Sequence, residues 1–363
     1  MNLLDYLNRY GEKSLEELPF NELDAAIFAE LSYLDLEKIA PYFIDGKGRI
    51  PLKSLNLTQI KELSKLTLDA PNCEALLKRV SKAPRFMGLG IGLGHAVNDK
   101  RKVIQFAAFT FFLPDGTLYI AYRGTDTTLL GWKEDFQLAY REAIPSHKEA
   151  LEYAKQVLDW YPKAKFYLGG HSKGGNLASY VLFHLENTYM GRLLSAYSFD
   201  GPGFKKAPEK FEERKDKLQK YMTQEDLIGC FFNLIENPHV VITNNPVAAG
   251  GHNPFTWQVD LKKIAFKRAK ERSKASIDGE KAFMKVVLET PEEDISLAED
   301  ALFHVYSNCR TVFDLVLRLV PDFLKREEAL NRYSLEERKK IKDFFERLKK
   351  ALFKQDPEKK EKK

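Results

Sequence analysis

The sequence predicts an α/β protein: a mostly parallel sheet flanked by helices, with a helical layer before it and a helical extension after it. Three observations lead there. In residues 164–185 a short β-prone run, 165–168, enters a turn holding four glycines around one serine, after which Leu177, Ala178, Val181, Leu182 and Leu185 recur at helical spacing. Helical and strand patterns alternate from residue 147 to residue 243, the rhythm of a parallel sheet with crossover helices. Before residue 80 and after residue 269 the patterns are helical.

At 363 residues the chain has material for one large domain with additions, or for two. With 44% hydrophobic and 30% charged residues it reads as an ordinary soluble protein. Asp5 and Arg9 interrupt any leader-like start and no apolar run reaches the length of a membrane span, so a cytoplasmic location is expected. Cys73, Cys230 and Cys309 lie far apart without CxxC spacing, which suggests neither a disulfide framework nor a zinc site. The net charge of +5 is concentrated in residues 349–363, KKALFKQDPEKKEKK, and favours a solvated tail over a nucleic-acid site.

Taken in order, residues 1–80 read as short helices: Asn21 caps one running through Leu23, Ala26, Ile27 and Leu31, and others fall at 60–66 and 73–80. Residues 86–95, FMGLGIGLGH, look like a dinucleotide loop but fail its spacing, because Leu93 stands where a glycine is needed and no helix follows. Residues 103–112 and 117–122 form two strands around Pro114-Asp115-Gly116. The second runs into Arg123-Gly124-Thr125-Asp126, which alone reads as a turn, although a glycine and a hydroxyl residue at a strand end also suit an oxyanion hole. Residues 127–140, TTLLGWKEDFQLAY, are either a packed core helix or a mobile cover over an apolar cleft. Residues 147–161 form the helix that leads into the central strand.

The turn at its end is Gly170-His171-Ser172-Lys173-Gly174, a G-x-S-x-G nucleophile elbow in its required strand-turn-helix setting. Ser172 is therefore the candidate nucleophile, with the first free N–H groups of the new helix beside it. Further strands fall at 193–199, ending in Asp200-Gly201-Pro202-Gly203, at 217–222, followed by Asp226, and at 238–243, after which AAGGHNPFTW brings His252. Ser172, an acid and His252 thus follow the chain order of α/β-hydrolase triads, with Asp226 and Asp200 competing for the acid. Of the other histidines, His171 orients the elbow, and His95, His184, His239 and His304 read as structural.

From residue 269 the chain becomes charged amphipathic helices. Thr290-Pro291-Glu292-Glu293 and Ser334-Leu335-Glu336-Glu337 read as capping boxes. Leu302, Val305, Val312, Leu315, Val316 and Leu319 form one apolar face, and Ile341, Phe344, Phe345, Leu348 and Leu352 another, needing the core or a partner to cover them.

Together GGHSKGGNLA, AYRGTD, SFDGPGF, GGHNPFTW and FNELDAAIFAELSYLDL resemble an uncharacterised bacterial α/β-hydrolase-fold family related to class 3 (triacylglycerol-type) lipases, over roughly residues 1–265. The resemblance implies an α/β-hydrolase fold in which Ser172 is the elbow serine, His252 the triad histidine and Asp226, rather than Asp200, the triad acid. It also implies an oxyanion hole from Thr125 and the N–H of Lys173, and a lid at 127–136. Lys173 departs from the bulky apolar residue usual after the serine; it opposes the helix dipole and either points outward or favours an anionic substrate.

The expected organisation is an N-terminal helical segment (1–80) packed on a hydrolase core (81–268), a helical region (269–353) and a disordered charged tail (354–363). The expected activity is hydrolysis of a carboxylic ester, lipid-like or acyl, by a serine lipase or esterase using Ser172, Asp226 and His252, with no metal or cofactor. The alternatives are a catalytically silent binding or regulatory protein of the same fold, or an acyltransferase using the same residues. Expected partners are a small-molecule ester or lipid, transient contact with a membrane surface, and a protein met through the C-terminal helices, but no nucleic acid.

Overall fold

A computed structural model describes residues 1–65, 67–245, 248–305 and 330–353. Its centre is an eight-stranded sheet in sequential order: β1 (Ile50–Pro51), β2 (Gly90–Asp99), β3 (Ile104–Phe112), β4 (Leu118–Tyr122), β5 (Phe166–His171), β6 (Leu193–Phe199), β7 (Leu218–Thr223) and β8 (His239–Val241). β1 to β4 pair antiparallel, with short turns joining β2 to β3 and β3 to β4, whereas β4 to β8 run parallel. All C-terminal ends of the parallel strands therefore open on one edge, where sites of such sheets form.

Side-chain alternation buries both faces of this sheet. On β3, Ala107, Phe109 and Phe111 join one core while Phe106, Ala108 and Phe112 join the other. The first core is closed by α1 (Leu3–Tyr10), α2 (Glu22–Leu31), α3 (Leu57–Ser64) and α4 (Ala70–Val80). Asn21 caps α2 through the Leu23 N–H at 3.0 Å, and Asp24 returns the bond to Asn21. The second core is closed by α6 (Pro145–Trp160) and α7 (Lys173–His184). Just before α6, α5 (Leu129–Leu138) follows β4.

The glycine alternation before β3 is a packing feature: β2 lies so close to its neighbours that a Cβ on Gly92 would meet the Gly48 carbonyl, and one on Gly94 would crowd Ala40. Among the described residues, the C-terminal helices α8 (Lys274–Glu289), α9 (Glu292–Val305) and α10 (Leu335–Phe353) gather on α5 through Phe136, Phe283, Leu302, Ile341 and Phe344. Ser334 and Glu337 form the expected capping box of α10. Thr290 instead turns back, its hydroxyl donating to Val286 O at 2.6 Å, so it closes the end of α8 rather than opening α9. Val312, Leu315, Val316, Leu319, Cys309 and the tail 354–363 lie outside the described residues; Cys73 and Cys230 are buried free thiols. Among the described residues no helix is long and apolar enough to cross a membrane.

Candidate active site

Ser172 leaves β5 with φ 56° and ψ −130°, a left-handed conformation that a serine adopts only where its surroundings enforce it. The enforcement is visible at the flanking glycines. A Cβ on Gly174 would overlap the Tyr122 carbonyl, and one on Gly170 would overlap the Gly174 backbone, so α7 starts in contact with β4 and β5. As the first residue of α7, Lys173 offers its N–H free; among the described residues neither it nor the Thr125 N–H donates to another group.

His252 sits on the loop after β8, and its main chain is clamped on three sides. The Trp257 indole donates to Gly251 O at 2.8 Å. His171, inside the elbow, bonds His252 O through Nε2 at 2.8 Å while its Nδ1 meets the Tyr33 hydroxyl at 2.9 Å. Asn253 donates to Asp69 at 2.8 Å, and Asp69 in turn caps α4. Burial holds His171 well below the ordinary imidazole range, so it stays neutral, donating from Nε2 and accepting at Nδ1. The N-terminal layer thus helps to fix the histidine.

The His252 side chain meets Asp200, not Asp226: Nδ1 lies 2.7 Å from Asp200 Oδ2. This bond puts the proton on Nδ1 and leaves Nε2 as an acceptor. Burial works against charging His252, but the bond to Asp200 and the Asp200 charge outweigh it and raise its pKa. Asp200 itself carries φ 52° and is almost completely buried. The resemblance-based preference for Asp226 is thereby corrected in geometry. Asp226 Oδ1 turns to the N–H groups of Ile228 and Gly229, at 2.7 and 2.9 Å, because it closes the turn after β7.

Two other sequence expectations change. Lys173 points neither outward nor to a substrate. Its ammonium, fully buried, donates to Gln105 O and Oε1 at 2.7 and 2.8 Å and to Glu134 Oε2 at 2.8 Å. Glu134 also accepts from Gln105 N at 3.1 Å and from Ser146 N and Oγ at 3.1 and 2.6 Å. The Thr125 hydroxyl is committed to Asp135, so of its two donors only the N–H is left without an acceptor among the described residues. Burial pushes Asp135 up to about 6.

These contacts also bear on the expected lid. α5 is pinned to the core by Glu134 and to α9 by Gln137, which bonds Glu299 as does Tyr140 just beyond the helix end. In this structure residues 129–136 belong to a packed helix, capped by Thr128, with partners on both sides.

Ser172, Thr125 and His252 line one cavity of about 630 Å³. Much of the rest of its wall is apolar and comes from α5 and the C-terminal helices: Trp132, Phe136, Phe283, Phe303, Phe345 and Leu348. Leu68 and Ile228 also line it and are solvent-exposed. Glu30 of α2 completes a polar corner; it is buried, its Oε1 makes no hydrogen bond and lies 3.7 Å from His171 Nδ1, and burial pushes its pKa up to about 8. Among the described residues no hydrogen bond joins Ser172 Oγ to His252, and no cluster of His, Cys, Asp and Glu could hold a metal ion. Sequence reasoning missed Glu134, Asp135 and Glu30; the charges amid Trp132 and Phe136 were the one trace of the first two.

Sheet, elbow and loop histidine together define an α/β-hydrolase-like protein. The family model described as Mbeg1-like matches residues 80–304, well over half the chain, and the chain belongs to that family. Among solved structures, the native Rhizomucor miehei lipase propeptide complex is 14% identical, covering 64% of this chain and 76% of that one, with a TM-score of 0.37. Lip2 lipase from Yarrowia lipolytica is also 14% identical, covering 70% and 87%, with a TM-score of 0.37. Lipase II from Rhizopus niveus matches at 14% identity over 60% and 89%, with a TM-score of 0.33. No curated protein matches the chain.

Proposed function

We propose that this protein is a serine hydrolase that cleaves a carboxylic ester with a long apolar acyl group. The observation that carries the reading is a strained elbow serine opening into the same apolar cavity as an imidazole whose Nδ1 is held by a buried carboxylate. His252 Nε2 takes the Ser172 proton as Oγ attacks the ester carbon, and Asp200 steadies the imidazolium. The oxyanion is met by the N–H groups of Lys173 and Thr125. The imidazolium then protonates the departing alkoxide, leaving an acyl-serine that water, deprotonated by the same imidazole, releases as acid. An apolar wall favours acyl chains by about 0.8 kcal/mol for each methylene it buries.

A fluorophosphonate probe tests this. Wild type should be labelled and Ser172→Ala should not; equal labelling of the two would remove Ser172 from the chemistry. The missing Ser172–His252 bond supports a second reading, a binding protein of hydrolase fold without turnover, although such bonds commonly tighten only around substrate. An unlabelled wild type that still binds long-chain esters would favour that second reading.

A further inference from the structure

Asp200 and Asp226 follow neighbouring parallel strands, β6 and β7, and both are buried. Each uses one carboxyl oxygen: Asp200 Oδ2 meets His252 Nδ1, and Asp226 Oδ1 accepts the N–H groups of Ile228 and Gly229. The remaining oxygens, Asp200 Oδ1 and Asp226 Oδ2, are buried without a partner. Both crowd the same point, since a Cβ on Gly229 would lie 2.8 Å from Asp200 Oδ1 and 2.9 Å from Asp226 Oδ2. Two like charges facing each other away from water are disfavoured, and a single proton between them removes the repulsion while giving both bare oxygens a partner.

We propose that Asp226 is a neutral carboxylic acid sharing its Oδ2 proton with Asp200 Oδ1, a positioning residue behind the carboxylate that holds His252. The inference rests on the hydrolase reading for the role of Asp200. The proton belongs on Asp226 because Asp200 faces the imidazole N–H, whereas the Asp226 oxygen bonded by two main-chain N–H groups can still accept them as the carbonyl oxygen of an acid, leaving Oδ2 to carry the proton.

The charge balance of the pocket agrees. Lys220 on β7 is buried with its ammonium on Gly201 O, so one cation, one anion and one neutral acid leave no net charge. Burial first, then the Asp200 charge, pushes Asp226 up to about 8, against its main-chain bonds, Lys220 and His252. Burial draws Lys220 down to about 8 against both carboxyls. The Cys230 thiol, held neutral by burial, also faces the pair, as does Arg272, which is itself paired with Glu280.

The test compares Asp226→Asn, which keeps a donor at the Oδ2 position, with Asp226→Ala, which does not. On a p-nitrophenyl ester, D226N should keep kcat within about threefold of wild type and D226A should lose about tenfold or more, the size of one lost bond to a charged group. Wild type should also lose activity above about pH 8, where a second anion forms beside Asp200, and D226N should lack that limb. Carboxyl 13C spectra of aspartate-labelled protein should show one protonated carboxyl at pH 7, present in Ser172→Ala and absent from D226N. The proposal is overturned if D226N falls as far as Asp200→Asn, which would make Asp226 the working acid, if D226A matches wild type, or if no protonated carboxyl exists at pH 7. Were no form of the protein to turn over esters, the hydrolase reading would fail alone, and the carboxyl spectrum would still decide this one. D226N and that spectrum also suffice should D226A not fold.

Discussion

Two buried clusters of charge adjoin the Ser172 turn, and they are completed differently. In the first, the Lys173 ammonium has three acceptors and both Glu134 oxygens have two donors each, tying α7, β3, α5 and the start of α6 together. In the second, His252, Asp200, Asp226 and Lys220 lie close, yet Asp200 Oδ1 and Asp226 Oδ2 have no partner. A fully satisfied buried network fixes geometry, whereas oxygens left bare beside an imidazole are where a proton can be held or moved. The first cluster is framework, and the second is the one the proposed hydrolysis uses.

Breaking the second cluster should have the largest effect. Asp200→Asn should lower kcat/KM by about 10⁴ through the wrong imidazole tautomer while leaving the unfolding free energy nearly unchanged; steady-state kinetics beside denaturant unfolding separate the two. The pH profile sharpens this. Because Nε2 must be unprotonated to act as base and the His252 pKa is raised, activity should fall as the pH drops through a value above the ordinary 6.5. In D200N that limb should move down.

Breaking the first cluster should instead cost stability. Glu134→Leu strands the Lys173 ammonium in the core and should lower the unfolding free energy by about 3–5 kcal/mol, with most of it recovered in Glu134→Leu/Lys173→Met. Urea unfolding of the single and double variants checks both; an undisturbed single variant would mean that the pair holds nothing.

A smaller effect should come from His147, whose Nε2 meets Asn176 Oδ1 at 2.7 Å beside the elbow helix. Burial lowers it to about 4 from 6.5, so its contribution is complete above pH 6.5, where folded and unfolded chains are both neutral there. As the pH falls from 6.5 toward 4 only the unfolded chain takes up the proton, and stability should decline by about 3 kcal/mol. His147→Gln should remove that decline, as followed by thermal unfolding across the range.

The elbow was legible in the sequence because its constraints are local: glycines two residues either side of Ser172 are what the turn requires. His252 was legible from the side of the sheet to which chain order brings it. The acid was not, since Asp200 and Asp226 follow adjacent strands and only the path of the loop after β8 decides which meets the imidazole. Lys173 read as a cation opposing a helix dipole because its partner, Glu134, lies 39 residues earlier on another element. Nor could spacing reveal that the C-terminal stripes at Leu302, Phe345 and Leu348 wall the cavity that Ser172 lines, since a stripe states that it will be covered and not by what.

The central claim is an acyl group carried on Ser172 Oγ. Wild-type protein mixed with a long-chain p-nitrophenyl ester, quenched within one turnover and mapped by peptide mass spectrometry, should carry the acyl mass on Ser172 alongside a burst of p-nitrophenol. Steady turnover with no adduct at Ser172, or undiminished turnover by Ser172→Ala, would contradict it.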